Sequence, residues 1–200
     1  MELLASPASP FARKTRIVLR EGALNGQVAE VMVSNTPYEP EPRVLAANPL
    51  GKIPALIRDD GPALYDSRVI CRFLDDAGGS GLYPQGRIWD ILTLEATADG
   101  IMEACLSMTY EGRYRDAAAQ SGPWVEAQWA KAARALDVIE NRWMSLLSGP
   151  LNMGQVAVGC ALGYIDLRHG SRGWRDGRDT LAGWYAAFAL RDSFAATRPD

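Results

Sequence analysis

The chain has 200 residues, 48% of them hydrophobic and 22% charged, which is the composition of an ordinary globular protein of one large or two small domains. Its formal net charge is −3, and the basic residues are scattered among acidic ones. This balance excludes the clustered positive charge by which proteins bind nucleic acid, so we expect no nucleic-acid partner.

The N-terminal third alternates strand and helix signals. Residues 2–5 predict a short strand, and they lack the basic flank and the apolar length of a signal peptide. A helix is predicted over 10–21, because Ser9 is a favourable N-cap and proline suits the first helical position. Gly22 suits the end of this helix.

A second strand is predicted over 28–33, and a proline-rich loop follows it. Residues 53–57 and 63–65 predict two more strands on either side of a turn at 59–62. From Ser67 the apolar residues recur at helical spacing, which predicts another helix. The resulting order is β-α-β-loop-β-β-α.

A glycine-rich stretch at 78–81 is the clearest boundary in the chain. We therefore predict two domains, over residues 1–78 and 86–200, and the second has only helical signals. Its predicted helices cover residues 87–114, 124–147, a segment that includes 156–165, and 180–189. Asn152 is the predicted cap of the third of these. Gln155 follows it at capping-box spacing, so we expect its side chain to return a hydrogen bond to the cap.

Three further features bear on membrane association, cellular compartment and metal binding. The apolar run at 156–165 has half of the ~20 residues that a membrane helix needs, so we expect no membrane partner. Cys71, Cys105 and Cys160 are far apart in apolar helical surroundings, which favours reduced core thiols and a cytoplasmic location. His169 is the one histidine and cannot build a zinc site by itself, so we expect no metal.

Ser9 has the position of a possible catalytic group. At a helix N-terminus, free backbone N–H groups and the positive end of the helix dipole favour an anion. A serine cannot act as a base there, but it can donate a hydrogen bond to a bound thiolate and so lower a thiol pKa of ~8.5. The alternative is that Ser9 is only an N-cap.

Two other segments have the features of a ligand site. A cis bond between Ile53 and Pro54 would present the Ile53 backbone as an edge for a peptide-like ligand. The alternative is a trans proline on an edge strand. Asp66 and Ser67 open a helix, where amides suit a ligand carboxylate and Asp66 suits a ligand ammonium. The alternative is a plain N-cap with an acidic first turn.

Together these segments resemble the glutathione-site motifs of the cytosolic glutathione S-transferase family. Three motifs carry the resemblance in the family's order and spacing, namely Ser9-Pro10-Phe11, residues 48–56 (Asn-Pro-Leu-Gly-Lys-Ile-Pro-Ala-Leu) and Asp66-Ser67. Segments 160–166 and 191–199 also resemble bacterial members, so the likeness covers essentially the whole chain. It implies an α/β, thioredoxin-like N-terminal domain followed by an all-α, helical-bundle C-terminal domain, and a homodimer.

The resemblance implies roles for single residues. Ser9 matches the serine that contacts the glutathione sulfur, which makes it the candidate catalytic residue. Ile53 matches the residue whose backbone pairs with the cysteinyl part of glutathione, and Pro54 matches the family's cis-proline. Asp66 and Ser67 match the acidic-serine pair that holds the γ-glutamyl end.

Two weaker assignments complete the implied glutathione site. Lys52 matches a polar position near the glycyl carboxylate. Phe11 is expected at the site and in the acceptor pocket beside it. Four residues of the first long helix in the second half are in range of that pocket by sequence, namely Ile101, Met102, Met108 and Tyr110. The alternative is that these four form the bundle core.

The implied function is that of a glutathione transferase, with glutathione as co-substrate and a small hydrophobic electrophile as acceptor. One alternative is a glutathione-dependent peroxidase or disulfide reductase. Ser9 argues against the mixed-disulfide route, because a hydroxyl cannot form a disulfide. The other alternative is a non-catalytic binding protein with the same fold, since a fold does not fix a function.

Overall fold

The computed structural model describes residues 1–24 and 26–199, and the chain forms two compact units. Unit 1 contains Met1–Gln85 together with residues 191–199, and unit 2 contains Gly86–Leu190. The domain bounds drawn from the sequence, 1–78 and 86–200, stay a prediction. The final residues, which that prediction gives to the helical part, group with unit 1.

Unit 1 is built on a three-stranded sheet in the order β2-β1-β3. The strands are β1 (Glu2–Ala5), β2 (Ala29–Met32) and β3 (Ala55–Ile57). Central β1 pairs parallel with β2 and antiparallel with β3, and its Leu3 and Leu4 are fully buried. A parallel pair needs a crossover connection, which helix α1 (Pro10–Glu21) supplies here.

Helix α1 begins and ends as the sequence predicts. Ser9 is the N-cap and Pro10 is the first helical residue. The Gly22 N–H closes the helix by donating to the Val18 carbonyl at 3.1 Å. Local sequence signals therefore define this helix: Ser9 caps it, Pro10 begins it and Gly22 ends it.

Helix α3 (Ser67–Gly78) packs against α1, and two glycines set their closest approach. A Cβ atom built at Gly78 would lie 3.1 Å from the Gly22 Cα, which is closer than side chains tolerate without a shift. The Ala23 N–H also donates to the Gly78 carbonyl at 2.9 Å. The close backbone contact between the two helix ends thus favours glycine at both places.

Two predicted elements of unit 1 differ in the structure. A short helix, α2 (Pro42–Ala47), lies within the segment predicted as a proline-rich loop, with proline at its first position. The fourth strand is only an isolated bridge between Leu56 and Leu64. Because Asp66 already caps α3, few residues remain between the turn at 59–62 and this helix, and they form little more than one β-bridge.

Unit 2 contains the helices α4 (Ile88–Tyr114), α5 (Gly122–Val138), α6 (Met144–Leu147), α7 (Met153–His169) and α8 (Asp179–Phe188). A π-helical turn, Ile139–Trp143, joins α5 to α6. Helix α7 is buried from Met153 to Ile165 and packs mainly against α4, so it forms the core of this unit. The last helix, α9 (Asp192–Ala195), belongs to unit 1. The predicted fold class, a mixed sheet-and-helix part followed by an all-helical part, is confirmed.

The start of α7 differs from the predicted capping box. The Asn152 Oδ1 atom accepts from the Gln155 N–H at 3.2 Å, as expected of a cap. The Gln155 Nε2 atom instead donates to the carbonyls of Leu146, Gly149 and Pro150, at 2.9–3.1 Å. These carbonyls belong to the end of α6 and to the loop after it, so Gln155 holds both against the start of α7.

None of the helices in the described part of the chain combines the length and the apolarity that crossing a bilayer requires.

Candidate functional site

The Ser9 hydroxyl lies at the start of α1 and is half-buried. Its oxygen accepts from the Ala12 N–H at 3.2 Å, and the Ser9 backbone N–H donates to the Ser6 carbonyl at 3.1 Å. This cap bond uses an oxygen lone pair and leaves the hydroxyl proton for donation. A group accepting that proton would stand at the positive end of the helix dipole, where a negative charge is favoured.

The turn over residues 48–52 is held by asparagine side chains. Asn48 is 2% exposed; its Nδ2 atom donates to the Lys52 carbonyl at 2.8 Å and its Oδ1 atom accepts from the Leu50 N–H at 3.0 Å. Gly51 has φ +62°, a left-handed conformation that glycine adopts readily, and Asn35 donates to its carbonyl at 3.0 Å. The chain therefore enters Ile53 from a braced turn.

The peptide bond between Ile53 and Pro54 is cis, as the resemblance implies. Pro54 is buried, and pairing of β3 with β1 begins one residue later, at Ala55 opposite Leu4. Ile53 therefore precedes the paired part of the strand. Its backbone is placed where an extended peptide could continue the edge.

Asp66, rather than Ser67, is the N-cap of α3. Its Oδ1 atom accepts from the Arg68 N–H at 3.0 Å, and its Oδ2 atom lies 3.2 Å from the Arg68 guanidinium. Ser67 is the first helical residue and is 3% exposed, and the Tyr65–Asp66 peptide is cis.

The charge state of Asp66 is set by opposing effects. Burial raises the pKa of the carboxyl, but hydrogen bonds from Arg68 and the positive charges of Arg68 and Lys14 lower it by more. The net pKa lies below the ordinary 3.8, so the carboxylate is ionised at neutral pH.

The sheet register brings these segments to one end of unit 1. Strand β1 ends beside the start of β3, so the chain leading to Ser9 and the Ile53–Pro54 bond lie at the same end. The antiparallel bridge between Leu56 and Leu64 directs the following residues, including Asp66, to that end as well. Of the remaining predicted residues, Phe11 is half-buried in the first turn of α1 and Lys52 is exposed in the braced turn.

Sequence reasoning missed buried basic residues on α1. Arg13 is 5% exposed and Lys14 is fully buried, although a charged run inside a helix usually marks a solvated face. Lys14 acts on the site through its charge, which lowers the pKa of Asp66. The sequence around Arg13 carries no local signal of its burial, because its partner Phe194 lies 181 residues away.

The four residues proposed for the acceptor pocket differ in exposure. Ile101, Met102 and Met108 are buried, which fits the alternative that they form bundle core. Tyr110 is 38% exposed. Burial, together with the neighbouring Tyr114, raises the pKa of its hydroxyl, so Tyr110 is a neutral phenol at physiological pH.

The protein's own thiols are unsuited to nucleophilic chemistry. Cys71, Cys105 and Cys160 are buried and form no disulfide. Burial raises the pKa of Cys105 to about 12, so this side chain stays protonated at neutral pH. Across residues 1–24 and 26–199, no group of three or more His, Cys, Asp or Glu side chains is arranged to hold a metal ion.

Two domain families match the sequence. The glutathione S-transferase N-terminal domain matches residues 8–77, and the glutathione S-transferase C-terminal domain matches residues 122–187. The GST-like protein YibF of Escherichia coli is 32% identical over 204 residues, which cover 100% of this chain and 98% of that protein.

Solved structures of similar proteins contain glutathione compounds. A glutathione transferase family member from Pseudomonas fluorescens Pf-5, with bound glutathione, superposes with a TM-score of 0.96 at 40% identity, covering 100% of this chain and 98% of that one. A second structure from that organism, with bound S-(propanoic acid)-glutathione, has a TM-score of 0.91 at 39% identity and covers 100% of both chains.

Proposed function

The chain belongs to the glutathione S-transferase family, and on that premise we propose that it binds glutathione in unit 1, stabilises the thiolate through Ser9 and adds it to small hydrophobic electrophiles. The observation that carries the proposal is the Ser9 hydroxyl at the start of α1, with its oxygen in the cap bond and its proton left to donate. The glutathione and the S-(propanoic acid)-glutathione bound in the two Pseudomonas structures support the ligand class.

Thiolate stabilisation is the chemical contribution of Ser9. A free thiol with pKa ~8.5 is only about 3% ionised at neutral pH. A hydrogen bond to the sulfur anion and the adjacent helix dipole each favour the ionised form. A fall of ~2 pKa units would leave roughly three quarters of the bound thiol ionised.

The rest of the tripeptide extends along the same end of the sheet. The Ile53 backbone, ahead of the paired part of β3, pairs with the cysteinyl unit. Asp66 accepts from the γ-glutamyl ammonium, and Ser67 with the first amides of α3 holds the adjacent carboxylate. Lys52 lies toward the glycyl carboxylate, and Phe11 covers the sulfur from the first turn of α1.

The reaction then needs no side-chain nucleophile. The thiol proton passes to solvent on binding, and the sulfur lone pair forms a bond to the electrophilic carbon. With an aryl chloride, chloride leaves with the electron pair of the broken bond. The protein supplies position and a lowered thiol pKa, which fits the absence of an accessible thiolate among the described cysteines.

The Ser9→Ala variant tests the role of the hydroxyl. Losing a hydrogen bond to a charged group costs about 1.5–3 kcal/mol, which raises the pKa of the bound thiol by about 1–2 units, so conjugation at neutral pH should slow roughly 4- to 40-fold. The rate should recover at alkaline pH, where the thiol ionises without help. The affinity for S-methylglutathione should stay within about twofold of the wild-type value, because this ligand has no thiol to ionise. A twofold change corresponds to about 0.4 kcal/mol.

Ser121→Ala is the matched control for the lost cap. Ser121 caps α5 through the Trp124 N–H at 3.3 Å, in unit 2. The Ser121→Ala variant should be less thermally stable than the wild type, but its pH–rate profile for conjugation should be unchanged. A Ser9→Ala enzyme with a wild-type profile would remove Ser9 from the mechanism.

Other activities are outcomes of the same assays. Turnover of cumene hydroperoxide or hydroxyethyl disulfide, without turnover of an aryl chloride, would replace the transferase proposal with a peroxidase or reductase. Retention on immobilised glutathione without turnover of any of these compounds would indicate a binding protein.

We also propose a homodimer in the cytoplasm. The exposed Trp89, at the first turn of α4, supports an interface with a second copy. The buried cysteines, which form no disulfide, support a reducing compartment.

A further inference from the structure

The last described residues of the chain return from unit 2 and pack onto α1 in unit 1. Within this segment Ser193, Phe194 and Thr197 are all buried, at 6%, 2% and 0% exposure. The segment lies outside both ranges matched by the domain families, 8–77 and 122–187. Its contacts with α1 are concentrated at two places.

The first anchor is Arg13, one helical turn from Ser9. Its guanidinium stacks on the Phe194 ring at 3.8 Å and donates to the Phe194 carbonyl at 2.9 Å. The Nε atom lies 3.4 Å from the Thr197 hydroxyl, whose one proton is shared between the carbonyls of Ser193 and Phe194. Because stacking and hydrogen bonds act together, the anchor fixes the orientation of Arg13 as well as its distance.

The second anchor is Glu21, at the other end of α1. The Arg191 guanidinium makes a bidentate ion pair with the Glu21 carboxylate, and both N–O distances are 2.7 Å. The Ser193 hydroxyl donates to the same carboxylate. A 12-residue helix is about 18 Å long, so anchors near both ends resist sliding and rotation of α1.

We propose that residues 191–199 form a clasp that holds α1 in place, and that Arg13 is thereby a positioning residue for the Ser9 hydroxyl. The link is direct, since the Arg13 N–H donates to the Ser9 carbonyl at 2.9 Å. The proposal rests on the proposed function of Ser9. A displacement of about 1 Å is enough to spoil a productive geometry, so a loosened clasp acts on the bound sulfur without touching it.

Two full-length variants test the clasp. Arg13→Gln removes the charge and the stacking, and Phe194→Leu removes the ring while keeping the backbone carbonyl. Both should raise the apparent pKa of bound glutathione, followed by thiolate absorbance, by about one unit. The ionised fraction at neutral pH then falls from roughly three quarters to roughly one quarter, which slows conjugation about threefold. Binding of S-methylglutathione should stay within about twofold.

Arg172→Gln is the matched control. Arg172 also pairs with a carboxylate, Glu126, at 2.8 Å and lies over an aromatic ring, Trp129, at 5.6 Å, but in unit 2. This variant should leave the bound-thiol pKa unchanged. Clasp variants that lose thermal stability while keeping the wild-type thiol pKa would show that the segment is only structural.

Hydrogen exchange gives a readout that does not depend on glutathione. Loosening the clasp should speed exchange of the first amides of α1, including that of Ala12, more than exchange in α3. If wild-type protein binds no glutathione, the proposed function fails and this measurement still decides the clasp. Unchanged exchange in α1 for both variants would overturn it.

Discussion

Asp66 caps a helix and is also the residue that we propose to bind the γ-glutamyl ammonium. In the free protein its carboxylate accepts from the Arg68 N–H and lies beside the Arg68 guanidinium. A carboxylate offers about four acceptor positions, so these bonds leave capacity for an ammonium. The side chain is 57% exposed, which leaves it accessible to such a ligand.

The Asp66→Asn variant separates the two roles. Asparagine is as good an N-cap as aspartate, so thermal stability should change little. Loss of the negative charge removes the attraction for the γ-glutamyl ammonium, a charged hydrogen bond of about 1.5–3 kcal/mol, and glutathione affinity should fall at least tenfold. Calorimetry measures the affinity, with Asp60→Asn in the exposed turn of the same unit as control. Unaltered affinity in Asp66→Asn would exclude an ammonium contact.

Local chemistry explains which site residues the sequence reveals. Ser9 and Asp66 are recognisable because a cap needs only a short polar side chain at a helix start, and the resemblance adds their ligand role. Arg13 is not recognisable, because its partner Phe194 lies 181 residues away. A charged residue whose burial depends on so distant a contact looks, in sequence, like an ordinary solvated one.

The braced turn before the cis-proline leads into Ile53, whose backbone we propose as the edge that pairs with glutathione. Asn48 is 2% exposed and makes two part-buried hydrogen bonds to backbone groups of the turn, so its loss removes both bonds. Such a loss costs about 1–3 kcal/mol.

We therefore expect Asn48→Ala to lower both thermal stability and glutathione affinity, because the Ile53 backbone would be held less firmly. Differential scanning calorimetry and titration calorimetry measure the two effects. Asn141→Ala is the control, since this exposed asparagine makes one bond, to the Asp137 carbonyl, in unit 2. Lower stability with full glutathione affinity would show that the turn does not support binding.

Element prediction succeeds where start, face and stop signals agree, as in α1. It misses α2, because six residues carry too little periodicity to distinguish a helix from a proline-rich loop. It extends the fourth strand beyond its single bridge, because an apolar run does not show how soon the Asp66 cap ends the pairing. Short elements are decided by their neighbours in the fold rather than by their own sequence.

At the scale of the whole molecule, the chain leaves unit 1 at Gln85 and returns to it at Arg191. A glycine-rich boundary is visible in sequence because composition changes there. The return at Arg191 is not visible in sequence, because the composition does not change there. Residues 191–199 are held in unit 1 by their contacts with Arg13 and Glu21. Changes in composition along the sequence therefore cannot assign residues 191–199 to unit 1.

Assembly is the remaining property at this scale. Trp89 is 79% exposed at the start of α4, and small exposed residues follow on the same face at helical spacing, namely Thr93, Ala96 and Gly100. Small side chains let a second helix approach closely, and a tryptophan can bury about 150–250 Å² at the centre of an interface. This face of α4 therefore suits a second copy of the chain.

We expect the wild-type protein to be a dimer by light scattering and Trp89→Glu to be a monomer, because a carboxylate buried without a partner at an interface is strongly unfavourable. Leu190→Glu is the matched control, since Leu190 is an equally exposed apolar residue, at 80%, that lies at the end of unit 2. It should remain dimeric. A wild-type monomer across the concentration range, or a Trp89→Glu variant that stays dimeric, would exclude an interface through this face of α4.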